Sequence, residues 1–403
     1  MQADSGSPSP LTRTSSPARV LLVHNYYQQR GGEDQVVERE GALLETNGHE
    51  VIRYTASNDA IAIHGAIWAA KRLIWNTQVY EELRTVISDR RPQVLHAHNI
   101  FPLLSPAVYA AANDAKIPVV QTLHNYRLIC ANGLLFRDGR VCEDCIGRHL
   151  PWPGVAHKCY RENTLASAAV VGMLQLHRAA RTWRTRVDTY IALTEFARSK
   201  MIAGGLPGAK IVVKPNFVTP NETPHAGDGE YILFVGRLSV EKGIQMLLAT
   251  WKKFADLPPL KIVGNGPLGD QVRTASLLDR RIQLIGYQEA DALGELYRHA
   301  RAVVFPSQCY EGFPLVIAES YAAQLPVIGS SIGAAALLIE PFITGLHFAP
   351  NSLDDLGDKI RWAWGNPQAM RIMGTHALAR YAANYAPDVN YRILSRIYAN
   401  LSM

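Results

Sequence analysis

The feature that most constrains this chain is an alternation of short apolar runs with helix-length segments, which occurs twice. The first series begins at residues 19–24, followed by Gly31-Gly32 and a helix-length segment to about residue 47, and the second begins at residues 231–235. Apolar strands separated by helices are typical of parallel sheets covered on both faces. Because 403 residues exceed one ordinary core, we predict an α/β protein with two doubly wound domains.

Composition along the chain predicts the limits of these domains. Residues 1–18 are rich in Ser and Pro, so we expect a disordered tail that lacks the apolar core of a signal peptide. The predicted divisions are a first domain at 19–213, a linker at 214–230, a second domain at 231–385 and a final helix at 386–403. The predicted strands are 19–24, 50–54, 93–97, 117–123, 189–193 and 210–213 in the first domain, and 231–235, 260–263, 282–285 and 302–305 in the second.

The most specific motif lies between residues 305 and 326. An apolar run leads into a loop holding Glu311 and then into a helix with Pro314 at its first position, so that Glu319 lies inside the helix. A helix start at the carboxyl end of a parallel strand attracts anions, because its free N–H groups and macrodipole face the ligand. Carboxylates accept hydrogen bonds from sugar hydroxyls. We interpret the two acids as hydroxyl-binding groups beside a phosphate; the alternative is two solvated acids.

A second motif precedes the first. The strand at 231–235 passes through Gly236-Arg237 into a predicted helix that begins at Glu241-Lys242-Gly243. Arg237 and Lys242 would then reach the same phosphates. Together, this Gly-Arg…Glu-Lys-Gly segment and the glutamates at 311 and 319 resemble family 4 of the retaining, nucleotide-sugar-dependent glycosyltransferases.

The resemblance extends over nearly the whole chain after residue 18. It implies the GT-B fold, in which two Rossmann-like domains face each other across a cleft and the C-terminal helix crosses back to the first domain. It also implies a hexosyl-type transferase of EC class 2.4, which moves sugar from a UDP- or GDP-sugar to a glycan or lipid-linked glycan in surface polysaccharide synthesis. In the family, Glu319 would bind the ribose and Glu311 the donor sugar.

Polar residues follow two strands of the first domain, at His96-Ala97-His98 and at His124-Asn125. The family places a histidine matching His124 at the catalytic centre, whereas we interpret His98 as structural. The residues predicted to carry catalysis are His124, Glu311, Arg237 and Lys242. Those predicted to bind the donor are Gly31, Gly32, Gly236, Arg237, Lys242, Gly264, Gly266, Glu311, Gly312, Phe313, Pro314, Leu315 and Glu319.

No Asp-x-Asp pair occurs in the sequence, so the acidic metal clamp of the other large glycosyltransferase fold is missing. We therefore expect no cofactor for catalysis. Arg237, Lys242 and the helix start at 313–316 would stabilise the leaving diphosphate instead.

Four of the five cysteines fall in a predicted insertion at about 126–163, as Cys130, Cys142, Cys145 and Cys159. A Cys-x2-Cys pair with two flanking cysteines has the ligand count of a structural zinc site without an open position. The alternatives are reduced thiols or, less in keeping with the absence of an export signal, disulfides. An iron-sulfur cluster also remains open.

The basic excess lies in the first domain, where residues 127–214 hold 14 basic and 6 acidic residues. Such a surface suits an anionic substrate, a membrane or nucleic acid. In the helix predicted at 164–187, the arginines could meet anionic headgroups, although we favour an ordinary buried helix. We expect a cytoplasmic protein with the inner face of the membrane as a candidate contact, and no nucleic-acid partner. The alternatives are another GT-B enzyme, either an epimerase or a phosphorylase, and a non-catalytic nucleic-acid-binding module built on the cysteines.

Overall fold

The computed structural model describes residues 18–28, 31–220 and 229–401, and its main feature is two six-stranded parallel sheets. The first sheet contains β1 (Arg19–Tyr26), β2 (Glu50–Ser57), β3 (Val94–Ala97), β4 (Val119–Leu123), β7 (Thr189–Ala192) and β8 (Ile211–Val213). Between β4 and β7, β5 (Phe136–Arg137) and β6 (Arg140–Val141) form a small antiparallel hairpin. The second sheet contains β9 (Tyr231–Val235), β10 (Leu260–Val263), β11 (Ile282–Gly286), β12 (Ala300–Phe305), β13 (Val327–Ser330) and β14 (Gly345–Phe348).

Helices connect the strands and cover both faces of each sheet. Those of the first domain are α1 (Gly32–Thr46), α2 (Asp59–His64), α3 (Ala66–Ile74), α4 (Thr77–Arg90), α5 (Ala107–Asp114), α6 (Pro153–Ala156), α7 (Thr164–Ala179), α8 (Thr182–Thr185) and α9 (Glu195–Ala203). Those that follow are α10 (Ile244–Lys253), α11 (Gly269–Leu278), α12 (Ala290–Arg298), α13 (Leu315–Ala322), α14 (Gly333–Leu338), α15 (Leu353–Gly365), α16 (Pro367–Asn384) and α17 (Pro387–Leu401). Short 3₁₀ turns lie at Gly208–Lys210 and Val240–Lys242.

The strand order explains where a ligand can bind. The first sheet has the order β2-β1-β3-β4-β7-β8 and the second has the order β11-β10-β9-β12-β13-β14. In each sheet the first strand, β1 or β9, lies between two neighbours. The strands that follow it are added first on one side of it and then on the other, so the strand order reverses there. Ligands of such sheets bind at the carboxyl ends of the strands beside this reversal.

The last helix, α17, returns to the first domain as expected for GT-B. Leu394, Ile397 and Tyr398 of α17 are buried against Val20 and Leu44 of the first domain. The aromatic ring of Tyr391 also lies beside His49, whose Nε2 is 3.0 Å from the tyrosine hydroxyl oxygen. The final helix is therefore part of the core of the first domain.

The predicted strands are all present, with small differences at their ends, but three features were missed. The sequence-based prediction omitted β13, β14 and the β5–β6 hairpin. Helix α13 begins at Leu315, and Pro314 caps it instead of occupying its first turn. The predicted helix at Glu241 is a 3₁₀ turn, because Gly243 adopts a left-handed conformation (φ 75°) before α10 begins.

The helix predicted at 164–187 is interrupted. It divides into α7 and α8 because Arg181 has a left-handed conformation (φ 58°). Helix α7 buries Val170, Val171, Met173 and Leu174, which agrees with an ordinary packed helix. None of the helices within the described ranges is long and apolar enough to traverse a bilayer. The predicted tail up to residue 17 and the linker residues 221–228 lie outside the described residues.

Candidate active site

A cavity of about 1050 Å³ lies between the two domains, at the carboxyl ends of both sheets. Seven of the predicted donor-binding residues line it: Gly31 and Gly32 from the first domain, and Gly236, Arg237, Gly264, Gly266 and Glu319 from the second. Parts of motifs recognised separately in the sequence thus come together around one space. The predicted catalytic and donor-binding residues that do not line it are His124, Lys242, Glu311, Gly312, Phe313, Pro314 and Leu315.

Glycine at 264 is required by the backbone that borders this cavity. Gly264 has a φ of 132°, and a Cβ atom there would lie 1.9 Å from the carbonyl oxygen of Gly236. The loop after β10 and the loop after β9 therefore touch through their backbones. This close approach leaves room for a ligand beside the loops instead of side chains between them.

We expect Gly264→Ala to weaken both stability and ligand binding. The unfavourable φ alone costs about 1 to 3 kcal/mol, and the clash must also displace the loop that carries Gly236. The matched control is Gly269→Ala in α11, where a Cβ atom meets nothing within 4 Å. Thermal unfolding of the two variants should separate them, and an equal melting temperature would contradict the close-packed loop.

The start of α1 faces the cavity and is held by a buried side chain. The Gly31 N–H donates to Asp34 Oδ2 at 3.0 Å, and Asp34 Oδ1 lies 2.8 Å from His24 Nε2. The next N–H groups of α1 have no partner within the helix and are available to an anion. Across the cleft, a Cβ atom on Gly32 would lie 3.1 Å from Leu315 Cδ1, so the two domains approach closely here.

Of the two predicted cations, Arg237 lines the cavity, whereas Lys242 is paired with Glu311 and does not line it. The Arg237 side chain is exposed at the cavity and makes no hydrogen bond or ion pair with a described residue. The Lys242 ammonium lies 2.5 Å from Glu311 Oε1, which also accepts a hydrogen bond from Ser307 Oγ at 2.9 Å. Although burial lowers the pKa of Lys242, the neighbouring Glu311 carboxylate raises it above its usual value overall. Lys242 therefore stays charged at neutral pH.

Glu319 projects from α13 into the same cavity. Burial raises its pKa, which Arg39 and a hydrogen bond from the Tyr297 hydroxyl, at 3.2 Å, partly oppose. Arg39 of α1 also lines the cavity, and the sequence-based prediction missed it. The signal was its position seven residues after Gly32, two helical turns along and on the same face of α1.

His124 lies beside the loop that carries Glu311. A Cβ atom on Gly312 would lie 2.7 Å from the His124 carbonyl oxygen. The Tyr126 hydroxyl donates to the Glu311 carbonyl oxygen at 3.3 Å, and the Thr194 hydroxyl donates to that of Gly312 at 3.2 Å. The backbone of His124 therefore lies against the loop that carries Glu311 and its partner Lys242, whereas the His124 side chain contacts His98 of its own domain. Burial, and then the neighbouring His98, lower the pKa of His124 well below its usual value, so the imidazole is neutral.

The remaining predicted donor-binding residues differ in which of their atoms could contact a ligand. The Phe313 side chain is buried in the core of the second domain, with its ring 5.5 Å from that of Tyr385. Only its backbone could reach a ligand. Pro314 is buried as well, and Leu315 is partly exposed opposite Gly32.

The four cysteines of the insertion are reduced thiols that lie near one another. Burial raises the pKa of Cys145 to about 11, and the neighbouring Cys130, Cys159 and Cys142 add to this effect. Within the described ranges, however, the only set of three or more ligand atoms that all lie within 4.8 Å of one another belongs to Glu40, His96 and His98. The zinc site remains a prediction, and binding by these cysteines would require their sulfur atoms to move closer together.

Two family models match the chain, one for each domain. The model described as Glycosyltransferase Family 4 matches residues 30–222. The model described as Glycosyl transferases group 1 matches residues 217–380. Together they extend across both domains and include the cysteine-rich insertion.

Individual proteins related to glycosyltransferase function also match this chain in sequence. The glycogen synthase of Mycobacterium tuberculosis is 28% identical over 370 residues, which cover 86% of this chain and 77% of that protein. An uncharacterised glycosyltransferase of Methanocaldococcus jannaschii is 32% identical over 146 residues, which cover 34% of this chain and 37% of that protein. A lipopolysaccharide 1,2-N-acetylglucosaminetransferase of Salmonella typhimurium is 30% identical over 161 residues, covering 36% of this chain and 42% of that protein.

Solved structures share the architecture at low sequence identity. HepE of Anabaena in complex with UDP has a TM-score of 0.64 and 17% identity, covering 94% of this chain and 100% of that chain. A sucrose-phosphate synthase from Thermosynechococcus elongatus has a TM-score of 0.70 and 16% identity, covering 95% of this chain and 99% of that chain. The chain therefore has the GT-B fold and belongs to the family 4, group 1 glycosyltransferases.

Proposed function

We propose that this protein is a retaining glycosyltransferase that moves a hexose-type sugar from a nucleoside diphosphate sugar to a glycan acceptor. The observation that carries the proposal is the convergence of Arg237, Glu319 and the start of α1 on one cavity between the domains. This arrangement offers a cation and free N–H groups to a diphosphate, and a carboxylate to ribose hydroxyls.

The residues suggest how the sugar–phosphate bond is broken. Negative charge develops on the diphosphate as it leaves, and we assign the stabilisation of that charge to Arg237, Lys242 and the start of α13. Glu311 is proposed to bind hydroxyls of the donor sugar, for which it must exchange part of its contact with Lys242. In a retaining reaction of this type, the acceptor hydroxyl attacks from the face that the diphosphate leaves. No cofactor is needed for these steps.

The comparisons support a choice of donor and pathway. HepE of Anabaena, which shares the fold, has been solved with UDP-glucose, so we propose a UDP-sugar first and a GDP-sugar second. The Salmonella relative is a lipopolysaccharide glycosyltransferase, and a Klebsiella pneumoniae relative, 25% identical over 71% of this chain, is described as a protein in the cps region. These relatives support a role in surface or extracellular polysaccharide synthesis.

A peripheral membrane contact is part of the proposal for a lipid-linked acceptor. Ile63 and Ile67, near the junction of α2 and α3, are 79% and 78% exposed, and Lys71 and Arg72 follow on α3. Exposed apolar residues with adjacent basic residues suit an anionic membrane surface. Both family models describe glycosyltransferases, and the one that matches residues 30–222 spans the cysteine-rich insertion, so no observation favours the nucleic-acid-binding alternative.

The test is thermal stabilisation by UDP, GDP and ADP. A ligand at 100 times its dissociation constant stabilises the folded state by about 2.7 kcal/mol. We expect one nucleotide to raise the melting temperature of the wild type, and Arg237→Ala and Glu319→Ala each to remove most of that shift. Arg273→Ala, an exposed change on α11, is the control and should keep it. If none of the nucleotides stabilises the wild type, the proposed donor site is wrong.

A further inference from the structure

A continuous set of buried polar side chains connects His124 to the beginning of the interdomain linker. His124 Nε2 lies 2.9 Å from His98 Nδ1, at hydrogen-bond distance. His98 Nε2 lies 3.2 Å from Glu40 Oε1, in a close electrostatic contact whose angles are not those of a hydrogen bond. The other oxygen of the same carboxylate, Glu40 Oε2, accepts a hydrogen bond from Lys214 Nζ at 2.6 Å. Glu40 and Lys214 are each only 1% exposed. The mechanism described above makes no use of His98, Glu40 or Lys214.

The protonation state of each residue in this set follows from its burial and from its charged neighbours. Burial alone would raise the pKa of Glu40, but Lys214, His98 and His96 together hold it well below its usual value. Glu40 is therefore a carboxylate, which can only accept hydrogen bonds. Burial lowers the pKa of His98, so this imidazole is neutral and carries a single ring hydrogen.

These charges assign the hydrogens along the set. Because Glu40 only accepts, the hydrogen of His98 belongs on Nε2, which faces the carboxylate, and His98 Nδ1 is left as an acceptor. His124 is neutral as well, so its one hydrogen must lie on Nε2 to bond His98 Nδ1. His124 Nδ1 then keeps its lone pair. This atom contacts no hydrogen-bond partner among the described residues, and the side chain is partly exposed.

A metal ion is a poorer explanation of the same cluster. The ligand atoms of Glu40, His96 and His98 all lie within 4.8 Å of one another. The Lys214 ammonium, however, contacts the same carboxylate and would repel a cation. In addition, His96 Nδ1 lies 2.7 Å from the Tyr398 hydroxyl oxygen and His96 Nε2 lies 2.8 Å from Thr122 Oγ1, so both of its ring nitrogens are already engaged.

We propose that His98 and Glu40 are positioning residues that hold His124 in a single tautomer, with its hydrogen on Nε2 and its Nδ1 lone pair available to a substrate hydroxyl. The proposal rests on the proposed function for the role of the hydroxyl. Lys214 completes the set by keeping Glu40 ionised, and Asn390 Oδ1 of α17 accepts a second hydrogen bond from Lys214 at 3.1 Å. The orientation of His124 is thereby set by residues that never touch the substrate.

Two substitutions of His98 separate its two contacts. In His98→Asn the amide oxygen can replace Nδ1 as the acceptor for His124, while the contact with Glu40 is lost. In His98→Gln the amide nitrogen can replace Nε2 as the donor to Glu40, while the acceptor for His124 is lost. Each variant removes one polar contact from the same buried position, so their melting temperatures should be similarly lowered and only their effects on His124 should differ.

We expect kcat to fall about 100-fold in His98→Gln, a loss typical of a displaced catalytic group, and less than about 10-fold in His98→Asn, with the donor KM little changed in both. Equal kcat values in the two variants would overturn the proposal.

Nitrogen-15 NMR of histidine-labelled protein tests the same inference without an assay of transfer. A protonated ring nitrogen and a bare one have well-separated shifts, and His124→Asn identifies the His124 signals by their disappearance. We expect the hydrogen of His124 on Nε2 in the wild type and in His98→Asn, and a mixture of tautomers in His98→Gln. A wild-type hydrogen on Nδ1 would overturn the assignment. Because this readout does not depend on activity, failure of the proposed function, seen as no transfer from any donor, is distinguishable from failure of this inference.

Discussion

Removing the two proposed catalytic cations, in the double variant Arg237→Ala Lys242→Ala, is expected to lower kcat/KM by about 10² to 10⁴-fold. A hydrogen bond to a charged group contributes roughly 1.5 to 3 kcal/mol, and each 1.36 kcal/mol changes a rate about tenfold. Arg237 is exposed at the cavity without a partner among the described residues, whereas Lys242 is paired with Glu311. Losing both leaves helix N–H groups and Arg39, which also lines the cavity, to stabilise the leaving diphosphate.

The measurement is the initial rate of nucleoside diphosphate release, with the donor whose nucleotide stabilises the wild type. The control is the double variant Arg273→Ala Arg280→Ala, which removes the same charge from exposed positions of the second domain. It should keep nearly full activity. A loss below about tenfold in Arg237→Ala Lys242→Ala would mean that these cations do not stabilise the transition state.

The largest effect on stability is expected from Lys214→Met. Removing one partner of a buried ion pair costs about 3 to 5 kcal/mol, because the other charge is left without compensation. Here the remaining charge is Glu40, which is 1% exposed. Its two histidine neighbours, His96 Nδ1 at 3.3 Å and His98 Nε2 at 3.2 Å from Oε1, are neutral and cannot replace the ammonium. The melting temperature should fall by roughly 6 to 20 °C.

Two further variants identify the cause of that loss. In the double variant Lys214→Met Glu40→Gln the unpaired Glu40 carboxylate is removed as well. Much of the lost free energy of unfolding should therefore be restored. Lys252→Met changes an exposed lysine of α10 and should alter the free energy of unfolding by less than about 0.5 kcal/mol. The measurement is thermal unfolding of the four proteins under the same conditions. A double variant as unstable as Lys214→Met alone would show that lost packing, not the unpaired carboxylate, is responsible.

Much of the fold followed from local patterns in the sequence. Strands such as 231–235 are continuous apolar runs, and their burial on both faces is what such runs predict. The strand β14 was missed because it contains Gly345 and His347, which are not typical strand residues. Glycine is needed at position 345 because of a tertiary contact. A Cβ atom there would lie 2.0 Å from the Val327 carbonyl oxygen. A contact with another strand cannot be read from a local pattern.

In the candidate site too, residues in short local motifs could be predicted, whereas contacts between residues distant in sequence could not. The resemblance supplied the glycines and acids that line the cavity, since these lie in short motifs. Arg39 lies on a helix of the opposite domain, and Glu40 is 174 positions from Lys214. Such pairs depend on how the two sheets and the linker are arranged in space. The sequence offered only a generic indication for them, the helical spacing of Arg39 from Gly32.

The return of α17 to the first domain has a consequence for how the chain acquires its structure during synthesis. Val20 lies in β1 at the start of the first sheet, yet its core neighbours include Leu394 and Tyr398. The first domain therefore cannot bury this apolar surface until α17 has been made, about 370 residues after Val20. Domains generally fold in order as they emerge, but here the first domain must wait for α17, and exposed apolar surface persists until translation reaches that helix.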